Sequence, residues 1–292
     1  MARREIVTFL SDYGLEDEFV GVCHGVMLRI APHVRIIDVH HNILRQDIRH
    51  GAIVLEQSIS YMPDSVHLAV VDPTVGSDRR AITLETSWNE IFVGPDNGLL
   101  LPAAERAGGI KRAFAIEEPS FLLRPISQTF QGRDVFAPAT AHIANGVDPS
   151  DLGPSVEPAD LVVLDVPEAW PHDDHLHAEV LQVDRFGNLQ LNFSRGHLQN
   201  VGLADGERLE VRLEGHRLTV PVASAFADVK QGDYVLVEDS YNYLSLAINK
   251  GDARAQLRAG GVNRHRRPVG RLIFRGGTST ARNGSRRQLE RL

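Results

Sequence analysis

A chain of 292 residues that is 42% hydrophobic and 24% charged can bury one large core or two modest ones, and its composition is that of an ordinary globular protein. Its net charge of −7 argues against general nucleic-acid binding, which needs a basic footprint. The single cysteine, Cys23, excludes a disulfide framework or a Cys-rich zinc site, and no apolar run approaches the roughly 20 residues of a membrane span.

The first predicted strand, residues 5–10, delivers Ser11-Asp12-Tyr13-Gly14, moving straight into strand-like sequence without the apolar region of a secretory leader. The expectation is a reduced, cytoplasmic protein with no membrane or nucleic-acid partner. A helix follows, with Phe19, Cys23, Val26, Met27 and Ile30 at helical spacing and Pro32 closing it. Residues 34–39 read as a second buried strand ending at His40-His41, and Asp47 opens a helix striped by Ile48, Leu55 and Ile59. The third strand, residues 66–71, is apolar but for His67 and stops on Asp72-Pro73-Thr74-Val75-Gly76, the pattern of a strand covered on both faces. Strands at 81–85 and 91–93 and a helix at 132–144 complete an α/β layered domain with a mainly parallel sheet, placed at residues 1–158.

Proline-rich punctuation between Asp148 and Pro171 marks a change of texture, and the linker is placed at 159–175. Beyond it, short alternating runs at 177–183, 188–192, 208–213, 217–222, 234–237 and 244–248, without a long helix, predict a smaller all-β barrel over 176–274. The Arg-rich stretch 275–292 is expected to be a basic disordered tail.

Ligands of open α/β sheets bind outside the carboxyl ends of the strands, so Asp12, Asp72 and Asp96 are the first candidates. Each has a plain alternative: a helix cap for Asp12, a loop ion pair with Arg79 or Arg80 for Asp72, an Asp-Asn-Gly turn for Asp96. His40 and His41 are more readily structural than metal ligands, because neighbours at a strand end point apart. Gly132-Arg133-Asp134 is a glycine at a helix start, equally readable as a ligand approach or a cap. In the second domain Asp184-Arg185-Phe186-Gly187-Asn188 puts an aromatic ring and an amide together, which suits an adenine, or is simply a hairpin. No phosphate loop or dinucleotide fingerprint is present.

In order, the stretches SDYGLEDEFVG, VRIIDVHH, QDIRHGA, VDPTVGSDRRAI, FVGPDNG, TFQGRDVFAPATAHIANG, LGPSV, VDRFGNLQLN and Ser240-Tyr241-Asn242-Tyr243-Leu244 resemble the S-adenosyl-L-methionine hydroxide adenosyltransferases. These are the water-using relatives of the fluorinase and chlorinase enzymes. The resemblance implies that water attacks C5′ of S-adenosylmethionine to yield adenosine and L-methionine, without metal or organic cofactor, in a homotrimer with sites between neighbouring subunits. It assigns Asp72 and Arg79 to handling the water, Asp12 to the ribose diol, Asp184 to the methionine ammonium, Phe186 and Asn188 to adenine, and Ser240 to the methionine carboxylate. Two positions depart from the family: Gln131 stands where a His is usual, and Thr74 where a Gly is. A halide-using enzyme and a non-catalytic S-adenosylmethionine- or adenosine-binding protein therefore remain as alternatives. An anionic Asp72 favours water over halide, since the halogenating relatives carry other residues there.

Overall fold

A computed structural model describes residues 2–166, 168–172, 175–200, 208–213, 215–257 and 271–276. They form two compact units, divided between residues 166 and 167. In the first unit the chain runs β1 (Ile6–Ser11), α1 (Phe19–Ile30), β2 (Arg35–His40), α2 (Ile48–Ile59), β3 (Val66–Val70), β4 (Ala81–Thr86), β5 (Ile91–Pro95), α3 (Leu101–Arg106), β6 (Ile110–Ala115) and α4 (Ala137–Ala144). The six strands make one sheet in the order β2-β1-β3-β5-β4-β6. Pairings β1–β2, β1–β3 and β3–β5 are parallel, and β4 joins both of its neighbours antiparallel.

Alternation along the strands divides the core in two. Val7, Phe9, Leu68 and Val93 pack with Val20, Cys23 and Met27 of α1 and Ala141 of α4. Leu10, Ala69, Val71 and Phe92 pack with Leu55 of α2 and Ala103 of α3 on the other face. Helices α1 and α2 thus lie on opposite faces because the chain steps outward from β1 to β2 and then back across β1 to β3, each crossover keeping the right-handed sense. Between β1 and β3 the direction reverses. That switch point is where a crevice opens in such sheets.

The second predicted strand differs from its expectation. β2 lies at the sheet edge and is exposed or half-buried throughout, not buried, because only β1 flanks it. Helix α1 starts at Phe19 with Glu18 at its cap position, so Asp12 does not cap it. Residues 159–166 belong to the first unit, where the Val162 amide donates to the Asp96 carboxylate.

The second unit runs β7 (Trp170–His172), β8 (His175–Val183), β9 (Leu189–Leu191), α5 (Arg195–Asn200), β10 (Arg208–Leu213), β11 (His216–Ala223), β12 (Tyr234–Glu238), β13 (Leu244–Ile248), α6 (Ala253–Leu257) and β14 (Arg271–Gly276). The strand order is β14-β10-β11-β12-β13-β9-β8-β7, and β14 also pairs with β8, closing seven strands into a barrel with β7 alongside. Its interior is filled by alternate residues such as Leu176, Val211, Val220, Leu246 and Phe274. Arg275 and Gly276 are therefore part of a barrel strand, while the expected tail beyond them, 277–292, lies outside the described residues. Among the described residues no helix is long and apolar enough to cross a membrane.

Candidate active site

Two clusters collect the residues singled out in the sequence, one in each unit. In the first, Ser11 pairs with Val70 across β1 and β3, so Asp12 and Asp72 leave adjacent parallel strands at the switch point. Asn97, in the turn after β5, donates from its side chain to the Val71 carbonyl at 2.9 Å and pins the end of β3. The chain then loops through residues 72–80 into β4. Arg79 returns on this loop and grips Asp72 with two nitrogens, Nε to Oδ1 at 3.3 Å and Nη2 to Oδ2 at 2.5 Å. The same Nη2 donates to Gln131 Oε1 at 2.7 Å, and the guanidinium lies 5.3 Å from the centre of the buried Phe136 ring. Both side chains of the pair are about 95% buried, with exposures of 6% for Arg79 and 5% for Asp72. Asp72, Arg79 and Gln131 therefore form one connected group.

Gln131 is placed by a wide π-type turn, Gly132–Phe136, that leads into α4. Such turns widen the helix by one residue and recur at functional sites. Gly132 is required there. A Cβ at that position would lie 2.0 Å from the Tyr13 hydroxyl, and the Tyr13 ring is itself packed edge-on against Phe9 and Phe130. Burial, with Cys23, Asp12 and Asp72 nearby, holds the Tyr13 hydroxyl well above its usual range, so it stays protonated and is no base. Asp12 accepts the Gln46 amide at 2.8 Å. Its carboxyl is raised above the usual range, chiefly by burial and further by the charge of Asp72, while the Gln46 bond pulls the other way.

The loop that carries Arg79 depends on Gly76, whose φ is +81° and whose absent Cβ would sit 2.5 Å from the Gln128 carbonyl oxygen. Neither contact atom nor backbone angle can relax cheaply. Gly76→Ala should cost about 1–3 kcal/mol of stability and lower turnover by displacing Arg79, read from thermal melts and rates in parallel.

Other candidates from the sequence resolve to structure. Asp96 is buried and braced by Arg80 Nε at 2.8 Å and by the Val162 amide, so Arg80 serves that brace and not Asp72. Asp134 accepts Arg133 at 2.6 Å and the Ser127 amide at 2.8 Å, fixing the entry to the π-type turn.

In the second unit Asp184, Phe186, Asn188 and Ser240 line one cleft of ≈400 Å³, together with Gln182, Gln190, Phe226 and Tyr241. Phe186 projects from the β8–β9 hairpin with 74% of its surface exposed. The Asp184 carboxylate accepts the Phe186 and Asn188 amides at 2.8 and 2.9 Å and the Asn188 side chain at 2.7 Å. Three of its roughly four acceptor positions thus hold its own turn, leaving one for a ligand. Gly187, at φ +84°, lies too close to Asp252 for any side chain. Asp239 organises the turn before β13 by accepting the Tyr241 and Tyr243 amides, and so sets Ser240 at the rim. A larger recess of ≈520 Å³ on the same barrel, lined by Arg195, Arg208, Asp228, Lys230 and Asp233, contains none of these residues.

Sequence reasoning passed over Tyr13 as the partner of Gly132, and Phe226 and Tyr241 as walls of the cleft. Thr74 it noted only as a departure. The structure gives it a contact, because its hydroxyl donates to Asp72 Oδ1 at 3.3 Å.

Both units of the chain have counterparts in known proteins. Residues 7–153 match the model of the SAM hydroxide adenosyltransferase N-terminal domain, and residues 178–264 that of the C-terminal domain. The chain belongs to the SAM hydroxide adenosyltransferase family. An (R)-S-adenosyl-L-methionine hydrolase of Salinispora arenicola is 46% identical over 253 residues, spanning 87% of this chain and 94% of the relative. A fluorinase of Actinoplanes sp. is more distant, at 28% identity over 271 residues, with coverage of 84% and 91%. The crystal structure of an uncharacterized conserved protein from Thermotoga maritima superimposes with a TM-score of 0.84 at 31% identity, covering 92% of this chain and 99% of that one. This member of the family carries both of its domains, and each of the two clusters lies within one of them.

Proposed function

We propose that this chain hydrolyses S-adenosyl-L-methionine to adenosine and L-methionine, with Asp72, Arg79 and Gln131 as the water site. The observation that carries the reading is the buried Asp72 carboxylate held by Arg79, which also holds Gln131. Water attacks the ribose C5′, the C5′–S bond breaks, and the sulfonium leaves as a neutral thioether. A good leaving group of this kind needs no acid, so alignment and removal of bulk water supply most of the acceleration. A carboxylate cannot make free hydroxide. Asp72 takes the proton as the O–C5′ bond forms, and Arg79 stabilises the charge that develops.

Gln131 turns its carbonyl to Arg79, leaving its amide hydrogens to orient the water. The anionic Asp72 repels halide, which favours hydrolysis over halogenation. In the proposal Asp12 takes the ribose hydroxyls, Phe186 and Asn188 the adenine, and Asp184 and Ser240 the methionine end. The proposed assembly is a homotrimer in which neighbouring subunits share each site, checked by sedimentation of the purified protein.

The test of function is product analysis in H₂¹⁸O. Adenosine carrying the label at its 5′-hydroxyl, with one equivalent of methionine, is expected. Methylthioadenosine, a 5′-halo-adenosine when chloride or fluoride is supplied, or binding without turnover would overturn the reading. Replacing Gln131 by His adds a basic nitrogen beside Arg79, and Gln131→His should raise kcat by about tenfold with little change in KM.

A further inference from the structure

We propose that His24, Asp38 and His41 form a binding site for a divalent ion of the zinc, cobalt and nickel class, in the first unit and outside the proposed water site. His24 lies on α1, Asp38 on β2, and His41 directly follows β2. One ligand atom from each falls within 4.8 Å of the other two. The two imidazole Nε2 atoms flank a single carboxylate oxygen, Asp38 Oδ1, at 2.8 Å from His24 and 3.0 Å from His41. Ligand atoms 2.0–2.1 Å from a tetrahedral zinc are about 3.3 Å apart, so the two imidazole–carboxylate spacings need open by only a few tenths of an ångström to admit the ion.

The second observation is the state of His41. Its side chain is 2% exposed, yet its Nε2 has no hydrogen-bond partner among the described residues. The Asp38 oxygen is near enough but lies off the direction in which an Nε2–H would point. The other nitrogen, Nδ1, lies 2.7 Å from Ser11 Oγ, which also accepts the Tyr13 amide at 3.3 Å. With the proton on Nδ1, Ser11 accepts both hydrogens and Nε2 keeps an unused lone pair, with Asp38 Oδ1 3.0 Å away. A buried imidazole fixed by a bond at its far nitrogen, with an unused lone pair beside two further ligand groups, is how metal-binding histidines are held. Two imidazoles and one carboxylate suit zinc, cobalt or nickel and disfavour calcium or magnesium. His24 and Asp38 are partly exposed, which leaves the remaining coordination positions to water.

Occupancy would tie α1 to β2 and, through Ser11 and the 2.7 Å bond from the Gly14 amide to the His41 carbonyl, to the turn that carries Asp12. Full-length protein stripped with a chelator and titrated with Co²⁺ is expected to bind one ion per chain, with the visible ligand-field bands of a four- or five-coordinate site. Zn²⁺ should displace it and raise Tm. His24→Ala and Asp38→Asn change partly exposed side chains, and each should weaken Co²⁺ binding at least tenfold. Absence of the bands at millimolar Co²⁺, or unchanged affinity in both variants, would overturn the site and leave the three residues as a hydrogen-bonded cluster. The spectrum does not depend on turnover, so failure of the hydrolase reading would leave this result standing.

Discussion

Asp72→Asn should bind S-adenosylmethionine within a few-fold of the parent and lose about 10²–10⁴ in turnover, the range that a positioned general base contributes. The amide matches the carboxylate in shape, and its oxygen can still accept from Arg79. What disappears is basicity, along with the charge that balances a guanidinium only 6% exposed. The variant will therefore also lose stability, by about 1–3 kcal/mol, a loss limited by the two neutral acceptors that Arg79 keeps, Gln131 and the new amide oxygen. Calorimetry for binding, single-turnover rates for chemistry and a thermal melt for the fold separate the three effects. Parent-level turnover would reduce the carboxylate to a staple of its loop.

Arg79→Lys keeps the charge and should still cut kcat about 100-fold, with KM moved much less. The guanidinium makes two bonds to Asp72 and one to Gln131 while lying over Phe136. An ammonium on a flexible stem can reach one of these acceptors but cannot hold both at a fixed angle. The informative contrast is Arg79→Ala, which strands a buried carboxylate and should cost about 3–5 kcal/mol. Lys protein that melts near the parent temperature yet turns over slowly would show that geometry, beyond charge, is the contribution of Arg79.

Sheet and barrel were legible where pattern and punctuation agreed. The apolar run ending at Asp72 announced a covered central strand, and the short alternating runs after residue 176 announced the barrel. The misses have local causes. β6 and α3 are short, and Pro102 and the glycine pair Gly108-Gly109 look like loop in one dimension. β14 offers only three apolar residues, Leu272-Ile273-Phe274, between two arginines, too short a run to announce a strand until β8 and β10 flank it. β2 was read as buried from Val34, Ile36, Ile37 and Val39, although Arg35, Asp38 and His40 share the strand, and the strand order makes it an edge.

The site shows the same division. An ion pair of Asp72 with Arg79 or Arg80 was open from the residues and the resemblance favoured Arg79, whereas the reason Arg80 is engaged elsewhere lies in Asp96 and the fold-back of residue 160. Asp184 illustrates the limit differently. The residues left its stretch open between a plain hairpin and an adenine site, and the structure shows the hairpin turn held by Asp184 with one acceptor position left open.

The seam between β14 and β8 also bears on biosynthesis. Everything from β1 to residue 166 is contiguous and can collapse as soon as it clears the ribosome, but the barrel cannot become a ring until Gly276 has been made. At about 5–20 residues per second, the roughly 110 residues from Pro167 to Gly276 take on the order of 5–20 seconds. From the completion of β10 at Leu213 until β14 is made, β8 and β10 each present an unpaired border. A nascent chain stalled in this window would expose two adhesive strand edges, so translation pauses and truncations before residue 271 should favour aggregation, although they leave the residues of the proposed water site already folded.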